Sequence, residues 1–395
     1  MSLISKPSVL AITEDVAILS ASRIDMPLVN MKRQGLIDDY FVTNPTLLDV
    51  PDDFRFDVVW LQRALSAPLI EHLSKRIESQ YLYDLDDLLV GRAAYRTDEL
   101  MHQDTVLKAV ERCRVLTVSS IRLASLLQKY TGEPLMEKAV VCPNGFEFPL
   151  WTRAPSVPEG ILLSSSESLP LTNSKPAIIK ALTDFSKRRD LPVYSFSREA
   201  DEMLSRFHRV IPLGYVSFWH YHALLACMPP MIGIAPLETN ADEQTLDFVN
   251  GKSDIKMVDF GGFGHPSVYS RARPFVDSEL KAGILVENSV AGWSDGLEEV
   301  YQDLWRRLDV DQEGVRRARH MDRIAAESWQ NAVSRARLPD PMTGKQIKYP
   351  SGTAHRLVNL ARYMAFSQSH SSRRMFKESV PPRLGKMIRK YLLKG

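Results

Sequence analysis

Cysteine is scarce in this chain. Its 395 residues include three cysteines, Cys113, Cys142 and Cys227, and no C-x-x-C pair. This is not the pattern of a disulfide framework or of a structural zinc site, and it indicates reduced thiols in a cytosolic compartment. Apolar runs are short as well, because none reaches the roughly 18 residues that a membrane-spanning helix needs. We therefore expect a cytoplasmic protein in which no segment crosses a membrane.

Two further signals are missing. The formal net charge is only +2, so the bulk composition offers no attraction for a polyanion, and we predict no nucleic-acid partner. No G-x-G-x-x-G follows any predicted strand, and the GGFG at residues 261–264 comes after a predicted helix rather than before one. A dinucleotide-dependent dehydrogenase is therefore not expected, since that glycine-rich turn must open the helix that holds the pyrophosphate.

What the chain does contain is an alternation of apolar, strand-like runs and helical segments. The apolar fraction of 44% and the charged fraction of 25% are ordinary for a soluble globular protein, and 395 residues are enough for two domains. The alternation predicts an α/β protein with two doubly wound parallel sheets that face a cleft. A polar, proline-rich segment at 151–160 separates the predicted domains at residues 1–150 and 155–335, and a third segment follows at 336–395.

The stretch at residues 235–270 organises our interpretation of function. An apolar strand ends at Leu237, followed by a polar loop of about a dozen residues, a helix predicted over residues 252–263 and a short strand. Lys252 and Ser253 would stand at the start of that helix, where free N–H groups and the positive end of the helix dipole favour an anion. Such a helix start is suited to phosphate.

Lys256 and Asp259 follow Lys252 at one-turn spacing, so these three side chains share a face of the predicted helix. An acid in that position can accept hydrogen bonds from two ribose hydroxyls while the lysines hold phosphates. The same residues also fit a solvated helix start in which Ser253 is an ordinary cap. Both interpretations remain open at this level.

Three acids stand together in the first half, where the run YLYDLDDLLV predicts a strand that ends near Asp84, Asp86 and Asp87. Like charges this close raise one another's pKa, which requires water, cations or hydroxyl donors nearby. A metal site, a site for sugar hydroxyls or a general base, and a solvated helix cap are the three alternatives. Mg²⁺ would also call for substrate phosphates, and the predicted phosphate site lies in the other half of the chain. A metal is therefore not expected.

Further polar side chains come at the ends of other predicted strands. Arg23 lies in the first loop from strand to helix, and Gln62 and Arg63 follow the apolar run FDVVWL. These three residues are candidates for binding an acceptor group or a phosphate, although Arg23 also fits an ordinary surface arginine. In the second half, Ser164 and Ser166 belong to a serine-rich segment after a strand, which predicts either hydroxyl donors to a diphosphate or a simple turn.

The run PLE…DFVNGKSDIKMVDFGGFGHPSVYS resembles the nucleotide-sugar-binding motif of group 1 glycosyltransferases of the GT-B fold, especially those of bacterial surface-polysaccharide assembly such as O-antigen or capsule. The family pattern is roughly PL…F-x-N-x-K-S-x-x-K-x-x-E-(Y/F)-x-x-x-G-x-P. The run D-V-V-x-x-Q-R at residues 57–63 also recurs in similar enzymes. The residues that fall into register with the main motif are Phe248, Asn250, Lys252, Ser253, Lys256, Phe260, Gly264 and Pro266.

This resemblance implies two Rossmann-like domains, with the acceptor bound by the first and a nucleotide-sugar donor bound by the second. It implies transfer to a glycan or a lipid-linked glycan with retention, without a metal or other cofactor, and it places D-x-D-D segments on the acceptor side of the cleft. Asp259 stands where the family has a ribose-binding glutamate. Gly251 stands where the usual E-x7-E pair has its first acid, which normally helps to position the donor sugar.

The carboxyl-terminal segment differs in charge from the rest of the chain. From Arg373 onward it contains eight Lys and Arg and one acidic residue, ending with Lys394, so the preceding 372 residues carry about −5. Apolar and basic side chains alternate there in the manner of an interfacial helix on an anionic membrane. A tail that crosses back to the first domain, or a linker, is the alternative. Residues 339–350 are predicted to be a loop.

Two other functions fit the same features. A sugar-nucleotide epimerase on this scaffold would also bind the diphosphate, and a non-catalytic binding module of a larger synthase would bind the nucleotide without turnover. The second of these would account for the glycine at 251 and the shorter acid at 259. Our principal prediction is nevertheless a glycosyltransferase in which Lys252 stabilises the leaving diphosphate and one of the three clustered acids serves the acceptor hydroxyl.

Overall fold

The computed structural model of the chain describes residues 6–13, 21–44, 50–63, 67–90, 103–164, 173–196, 209–214 and 216–347. Two six-stranded parallel sheets dominate this part of the chain. The strands are β1 Val9–Thr13, β2 Tyr40–Thr43, β3 Arg55–Phe56, β4 Val58–Gln62, β5 Leu82–Leu85, β6 Val115–Val118, β7 Ala139–Val141, β8 Ile161–Leu163, β9 Val193–Ser195, β10 Val210–Pro212, β11 Ile232–Ala235, β12 Ser267–Ser270, β13 Ile284–Val286 and β14 Met342–Thr343.

Helices connect most successive strands in the described part of the chain, as parallel pairing requires. In the same residues, three short segments are π- or 3₁₀-helical, at Ala21–Asp25, Leu304–Arg307 and Ala325–Trp329. The α-helices are α1 Met26–Arg33, α2 Ala67–Arg76, α3 Gln103–Arg112, α4 Ile121–Thr131, α5 Lys175–Arg189, α6 Phe218–Cys227, α7 Glu243–Asn250, α8 Ile255–Gly262, α9 Arg273–Val276, α10 Val290–Gln302, α11 Leu308–Arg319, α12 Met321–Ile324, α13 Gln330–Arg335 and α14 Gly344–Ile347.

The strand orders are β2-β1-β4-β5-β6-β7 in the first sheet and β10-β9-β8-β11-β12-β13 in the second. The chain reverses its direction of travel between β1 and β4 in the first sheet and between β8 and β11 in the second. Ligands of open α/β sheets bind outside the carboxyl ends of the strands at such a switch point. Thr13, Gln62 and Ser164 therefore come at or directly after strands that flank the two switch points.

Three apolar clusters fill the space on the faces of the sheets. One covers the outer face of the first sheet and another the outer face of the second. The largest runs from β1 and α1 through Phe146 and Phe148 of the connecting segment to α8. Both halves thus contribute to one continuous core, which orders the segment between them. Hydrophobic burial is the dominant favourable term in folding.

Residues 319–347 return to the first half. Trp329 stacks on Trp60 of β4 with ring centroids 4.6 Å apart, and β14 pairs antiparallel with β3. The connecting segment and the return segment also run side by side, because Phe146 N donates to Arg319 O at 3.1 Å and Met321 N donates to Phe146 O at 3.0 Å. The domain limits at 150, 155 and 335 stay a prediction.

Two expectations about local structure were wrong. The predicted polar loop after Leu237 contains α7, which begins because the Asp242 carboxylate accepts from Thr245 N at 3.0 Å, a normal N-cap, and because Phe248 and Val249 are buried. The predicted loop at 339–350 contains β14 and α14. Isoleucine 347 of α14 is fully buried, so packing against the first half orders this segment.

Candidate functional site

The turn between α7 and α8 carries the two residues predicted to open a phosphate-binding helix. The prediction placed the helix start at Lys252, but α8 begins at Ile255, and Lys252 and Ser253 lie in the preceding turn. Asp254 holds this turn because its Oδ2 accepts from Ser278 Oγ at 2.5 Å and from Arg319 Nη2 at 2.7 Å. The lysine and the serine are thus presented ahead of the helix rather than on its first turn.

Lys256 and Asp259 form the centre of a compact hydrogen-bonded cluster. Lys256 Nζ is 2.9 Å from Asp259 Oδ2 and also donates to Ser164 Oγ at 3.0 Å and to Tyr221 OH at 3.2 Å. The remaining carboxylate oxygen, Asp259 Oδ1, lies 3.1 Å from His222 Nε2. Ser164 donates to Tyr221 OH at 2.9 Å. The predicted one-turn spacing of Lys256 and Asp259 is therefore realised as a direct ion pair, and β8, α6 and α8 all meet here.

The charges of this cluster are fixed at neutral pH. Burial acts to raise the pKa of Asp259, but Lys256 and His222 outweigh it, and the pKa falls to about 2. Burial likewise acts to lower the pKa of Lys256, yet the neighbouring Asp259 carboxylate raises it overall. Burial raises the pKa of the Tyr221 hydroxyl. Asp259 is thus a carboxylate, Lys256 an ammonium and Tyr221 a neutral hydroxyl.

A second carboxylate at this edge, Glu238, lies three residues after the end of β11. Its Oε2 accepts from Asn173 N at 2.9 Å and Ser174 N at 3.1 Å, and its Oε1 accepts from Ser174 Oγ at 2.5 Å and from Thr239 N and Asn240 N at 3.0 Å. Burial opposes ionisation, but these hydrogen bonds lower the pKa of Glu238 to about 2. The carboxylate therefore fixes the residues just before α5 against the end of β11.

In the first half, Asp84 and Arg23 form a buried ion pair rather than a surface for a ligand. Both side chains have 0% exposure, and Arg23 Nη2 and Nε lie 2.6 Å and 3.1 Å from the two Asp84 oxygens. Thr117 Oγ1 donates to Asp84 at 2.8 Å, and Arg23 also stacks over Trp329 at 4.7 Å. Arg23, predicted to face an acceptor, and Asp84, predicted as a candidate base, thus have no solvent access here.

The other two acids of the cluster are less deeply buried than Asp84, and Asp87 faces the second half. Asp86 is 7% exposed and its Oδ1 lies 3.4 Å from Arg63 Nε. Asp87 Oδ2 lies 3.4 Å from Arg63 Nη2, and Asp87 Oδ1 lies 3.8 Å from Lys252 Nζ in the second half. Burial raises the pKa of Asp86. The structure thus brings predicted acceptor-side and donor-side residues together across one gap.

A further contact between the halves passes through Asn144. Its Nδ2 donates to Ser253 Oγ at 2.8 Å, while its Oδ1 accepts from Arg23 Nη1 at 3.2 Å. Arg23 also donates to Cys142 O at 2.5 Å. The buried arginine therefore orients the amide that contacts the turn before α8, so it positions groups at the crevice without reaching it.

Comparisons with known proteins bear on the architecture. Neither a protein-family model nor any curated protein sequence matches the chain. Among solved structures, HepE of Anabaena, determined with UDP and glucose, superposes with a TM-score of 0.55 at 13% identity, covering 81% of this chain and 98% of HepE. The chain has the GT-B fold.

Two further GT-B neighbours agree with this assignment. Sucrose-phosphate synthase of Thermosynechococcus elongatus gives a TM-score of 0.53 at 13% identity, over 81% of this chain and 97% of the synthase. A glycosyltransferase of Rickettsia africae gives 0.52 at 12% identity, over 84% of this chain and 98% of that one. The predicted fold class, two Rossmann-like sheets facing a cleft, is confirmed.

The remaining predicted residues of this GT-B chain have the following places. Gln62 is buried and its Oε1 accepts from Thr13 Oγ1 at 2.6 Å. Arg63 ends β4 in a left-handed conformation with φ 60°, which turns its side chain towards the acids. Ser166, Arg373 and Lys394 lie outside the described residues, and so does the whole predicted membrane-binding tail.

Sequence reasoning did not single out three residues of the candidate site, namely Tyr221, His222 and Glu238. The ring of His222 is packed against Phe146 and Phe218, and its Nε2 contacts Asp259. No local pattern links α6 to α8, which is why the sequence did not predict the contact. For Glu238, a polar residue at the end of the apolar run that contains β11 is a usable signal.

Among the residues that the structure describes, no three or more His, Cys, Asp or Glu side chains come together as a potential metal site. Within the same residues, none of the helices has the length and apolarity required to cross a bilayer. The Asp84, Asp86 and Asp87 cluster is organised by Arg23 and Arg63 instead.

Proposed function

We propose that this protein is a glycosyltransferase that moves a sugar from a nucleoside diphosphate sugar to a glycan or lipid-linked glycan acceptor, with retention at the anomeric carbon. The observation that carries the proposal is the position of Lys252 and Ser253 in the turn before α8. They face Asp87 and Asn144 of the first half across the crevice. A ligand between the halves of this fold would meet that turn first.

The chemistry follows from charge. When the bond from sugar to diphosphate breaks, negative charge grows on the leaving phosphate, and fixed cations that stabilise it supply a large catalytic effect. Lys252, with Ser253, is placed to receive the diphosphate, and Lys256 lies one turn further along. These cations supply the neutralisation for which other enzymes use a metal, so we propose a metal-independent reaction without other cofactors.

The ribose would lie beside Asp259. Its carboxylate is ionised at neutral pH because its pKa is about 2, but it is 2% exposed and contacts Lys256, Tyr221 and His222. Ribose binding must therefore exchange at least one of these hydrogen bonds for a sugar hydroxyl. Ser164 is held in the same cluster, so movement of Tyr221 and Ser164 would accompany donor binding.

The acceptor would lie against the first half. Asp87 and Arg63 are partly exposed and are the proposed contacts for an acceptor hydroxyl. Asp86, whose Oδ1 lies 3.4 Å from Arg63 Nε, is the candidate base, and burial raises the pKa of its carboxyl. Arg23, Asp84 and Gln62 are proposed to act at a distance, by fixing the loop that presents those groups. The acceptor class and an O-antigen or capsule pathway rest on the motif resemblance alone.

The proposed location of the protein in the cell follows from its sequence. We place the protein in the cytoplasm, peripheral to the inner face of the plasma membrane, with the basic tail from Arg373 to Lys394 on anionic lipid. Each basic residue near such a surface contributes about 1 kcal/mol. Cosedimentation with phosphatidylglycerol vesicles tests this: equal binding by the full chain and by a chain ending at Ser372 would contradict it.

The activity itself is tested with donors. Because the GT-B neighbour HepE was solved with UDP-glucose, UDP-sugars are the first donors for thermal-shift screening, followed by GDP-, dTDP- and CMP-sugars. Each stabilising donor is then incubated with glycan acceptors. Transfer of the sugar to an acceptor, undiminished by EDTA, is the expected outcome.

One alternative is favoured by specific observations. The absence of an acid at Gly251 and the three internal partners of Asp259 fit a non-catalytic nucleotide-sugar-binding module. Tight donor binding with neither transfer nor donor hydrolysis would select that function. Donor conversion to an epimer without any acceptor would instead indicate an epimerase.

A further inference from the structure

The loop that carries Asp86, Asp87 and Leu88 lies directly on the turn that carries Gly251 and Lys252. Asp87 Oδ1 is 3.8 Å from Lys252 Nζ, and both side chains are about one quarter exposed, at 26% and 25%. The pair is therefore reachable by solvent and by a ligand. A carboxylate of the first half thus stands against the cation that we assign to the donor diphosphate.

A second contact between the same two segments is independent of charge. A Cβ atom added at Gly251 would lie 2.8 Å from Leu88 Cβ, which is closer than real Cβ atoms approach. The Gly251 backbone has φ −76° and ψ −10°, which any residue adopts, so the glycine is required for space and not for conformation. The loop can approach the turn only because residue 251 lacks a side chain.

The two lysines of the site differ in how firmly they are held. Lys256 Nζ lies 2.9 Å from Asp259, which is 2% exposed, and makes two more hydrogen bonds. Lys252 Nζ and Asp87 are 3.8 Å apart in a half-open setting. A partly exposed ion pair contributes at most about 1 kcal/mol, so the Lys252 contact is the weaker one and the easier to exchange.

We propose that Asp87 is an internal competitor for the donor diphosphate: it occupies Lys252 in the empty site, is displaced when phosphate binds, and so sets the affinity for the donor. This inference rests on the proposed function, because it takes Lys252 as the phosphate-binding cation. The phosphoryl oxygens and the Asp87 carboxylate are both anions and make the same kind of charge-assisted hydrogen bond to an ammonium group. They therefore exclude one another at Lys252.

Competition has a specific consequence for ligands. A ligand that carries phosphate must separate Asp87 from Lys252, so removal of the competing charge strengthens its binding. A nucleoside without phosphate does not reach Lys252, so its binding does not change. The effect is therefore confined to phosphate-bearing ligands, and it appears equally with inorganic pyrophosphate, which has no base or sugar.

Two variants break the contact in different ways. Asp87→Asn removes the charge and keeps the shape, whereas Gly251→Ala keeps the carboxylate and pushes the Leu88 loop away. Dissociation constants for UDP, inorganic pyrophosphate and uridine are measured by isothermal titration calorimetry on the full chain. We expect both variants to bind UDP and pyrophosphate about fivefold more tightly than the unmodified protein, which corresponds to about 1 kcal/mol, with uridine unchanged.

The matched control is Asp277→Asn. Asp277 accepts from Arg122 Nε at 2.7 Å, so it also links the two halves, but it does not contact Lys252. If the loss of any link between the halves strengthens UDP binding, Asp277→Asn will also bind UDP more tightly than the unmodified protein. That outcome would overturn the proposal.

The remaining outcomes separate the inference from the proposed function. If the unmodified protein binds UDP and Asp87→Asn binds it equally or more weakly, the inference fails while the donor site stands. Absence of UDP and pyrophosphate binding by every variant would overturn both. Tighter binding of phosphate ligands by Asp87→Asn and Gly251→Ala, but not by Asp277→Asn, would support the inference whether or not transfer is detected.

Discussion

A buried carboxylate lies near the carboxyl end of the fourth strand in each sheet, but the two halves satisfy that charge in different ways. Asp84, one residue before the end of β5, is paired with the guanidinium of Arg23. Glu238, three residues after the end of β11, accepts hydrogen bonds from backbone N–H groups and from the Ser174 hydroxyl. In the first half a cation therefore neutralises the buried carboxylate. In the second half uncharged hydrogen-bond donors stabilise it.

This difference teaches why the two edges have complementary chemistry. The first half buries its arginine, and of the acids that follow, Asp87 is partly exposed and faces the second half. In the second half, amides and a hydroxyl satisfy the charge of Glu238, and Lys252 faces Asp87. An acid-bearing edge thus meets a lysine-bearing edge, which fits the proposed binding of a diphosphate donor and a hydroxyl acceptor. Four variants test this comparison.

The largest expected effect is a loss of stability on substitution of Asp84. Asp84→Asn leaves the Arg23 charge without its counter-ion at 0% exposure, and breaking a buried pair in this way costs about 3–5 kcal/mol. Urea unfolding monitored by circular dichroism measures the free energy of unfolding. Asp87→Asn, at the partly exposed end of the same cluster, is the control and should change it by less than about 1 kcal/mol. Equal effects of the two variants would contradict the comparison.

The next effect is on turnover. Lys252→Ala removes the cation assigned to the leaving diphosphate, and we expect kcat to fall about 10²–10³-fold, in line with removal of one preorganised charge-stabilising donor. Initial rates at saturating donor and acceptor provide the measurement. Lys180→Ala is the control, because Lys180 pairs only on the surface of α5 with Asp184 in the contacts seen here. Full turnover by Lys252→Ala would remove the function assigned to this edge.

The lowered pKa of Glu238 predicts that the stability of the protein depends on pH. Its pKa is lowered from 4.5 to about 2 in the folded protein, so its ionisation stabilises the fold above pH 4.5, and this contribution is lost as the pH falls from 4.5 to about 2. The difference corresponds to about 3 kcal/mol. Glu238→Gln should therefore be less stable than the unmodified protein at pH 7. In urea titrations, the difference between their free energies of unfolding should become smaller between pH 4.5 and 3. If that difference in the free energy of unfolding does not change with pH, the carboxylate charge is not the stabilising feature.

The smallest expected effect is a loss of stability from a change in the cluster around Asp259. Tyr221→Phe keeps the ring against Phe196, 5.0 Å away, and deletes the hydroxyl that donates to Asp259 at 3.1 Å. The loss of a buried hydrogen bond should lower the free energy of unfolding by about 1 kcal/mol. Thermal unfolding with and without UDP measures this loss and shows whether ligand binding depends on the hydroxyl.

Much of the architecture was predictable because parallel strands and their helices leave local marks. Apolar runs such as those at β4 and β11, each ending in polar residues, predicted both the sheets and the edges at which Arg63 and Lys252 appear. The spacing of Lys256 and Asp259 predicted that their side chains meet, since residues three apart share a helix face.

The unpredicted features all depend on distant partners. Arg23 and Asp84 are 61 positions apart in the chain, and nothing local to either shows that they pair and withdraw from the crevice. Likewise, α7 was interpreted as a loop because its outer residues are polar, whereas its Phe248 side is buried by contacts that only the folded chain provides. Sequence therefore placed the candidate residues near the ends of predicted strands, but tertiary contacts decided which of them are buried.

The pairing of Phe146 with the chain around Arg319 and Met321 has a mechanical consequence. Within the described residues, these two segments that join the halves are bonded to each other, so displacement of one strains its hydrogen bonds to the other. Gly145 lies at this contact, with Arg319 O only 2.5 Å from where a Cβ would be, so a side chain there would force the two segments apart. A substitution at Gly145 would thereby disturb both connections between the halves at once.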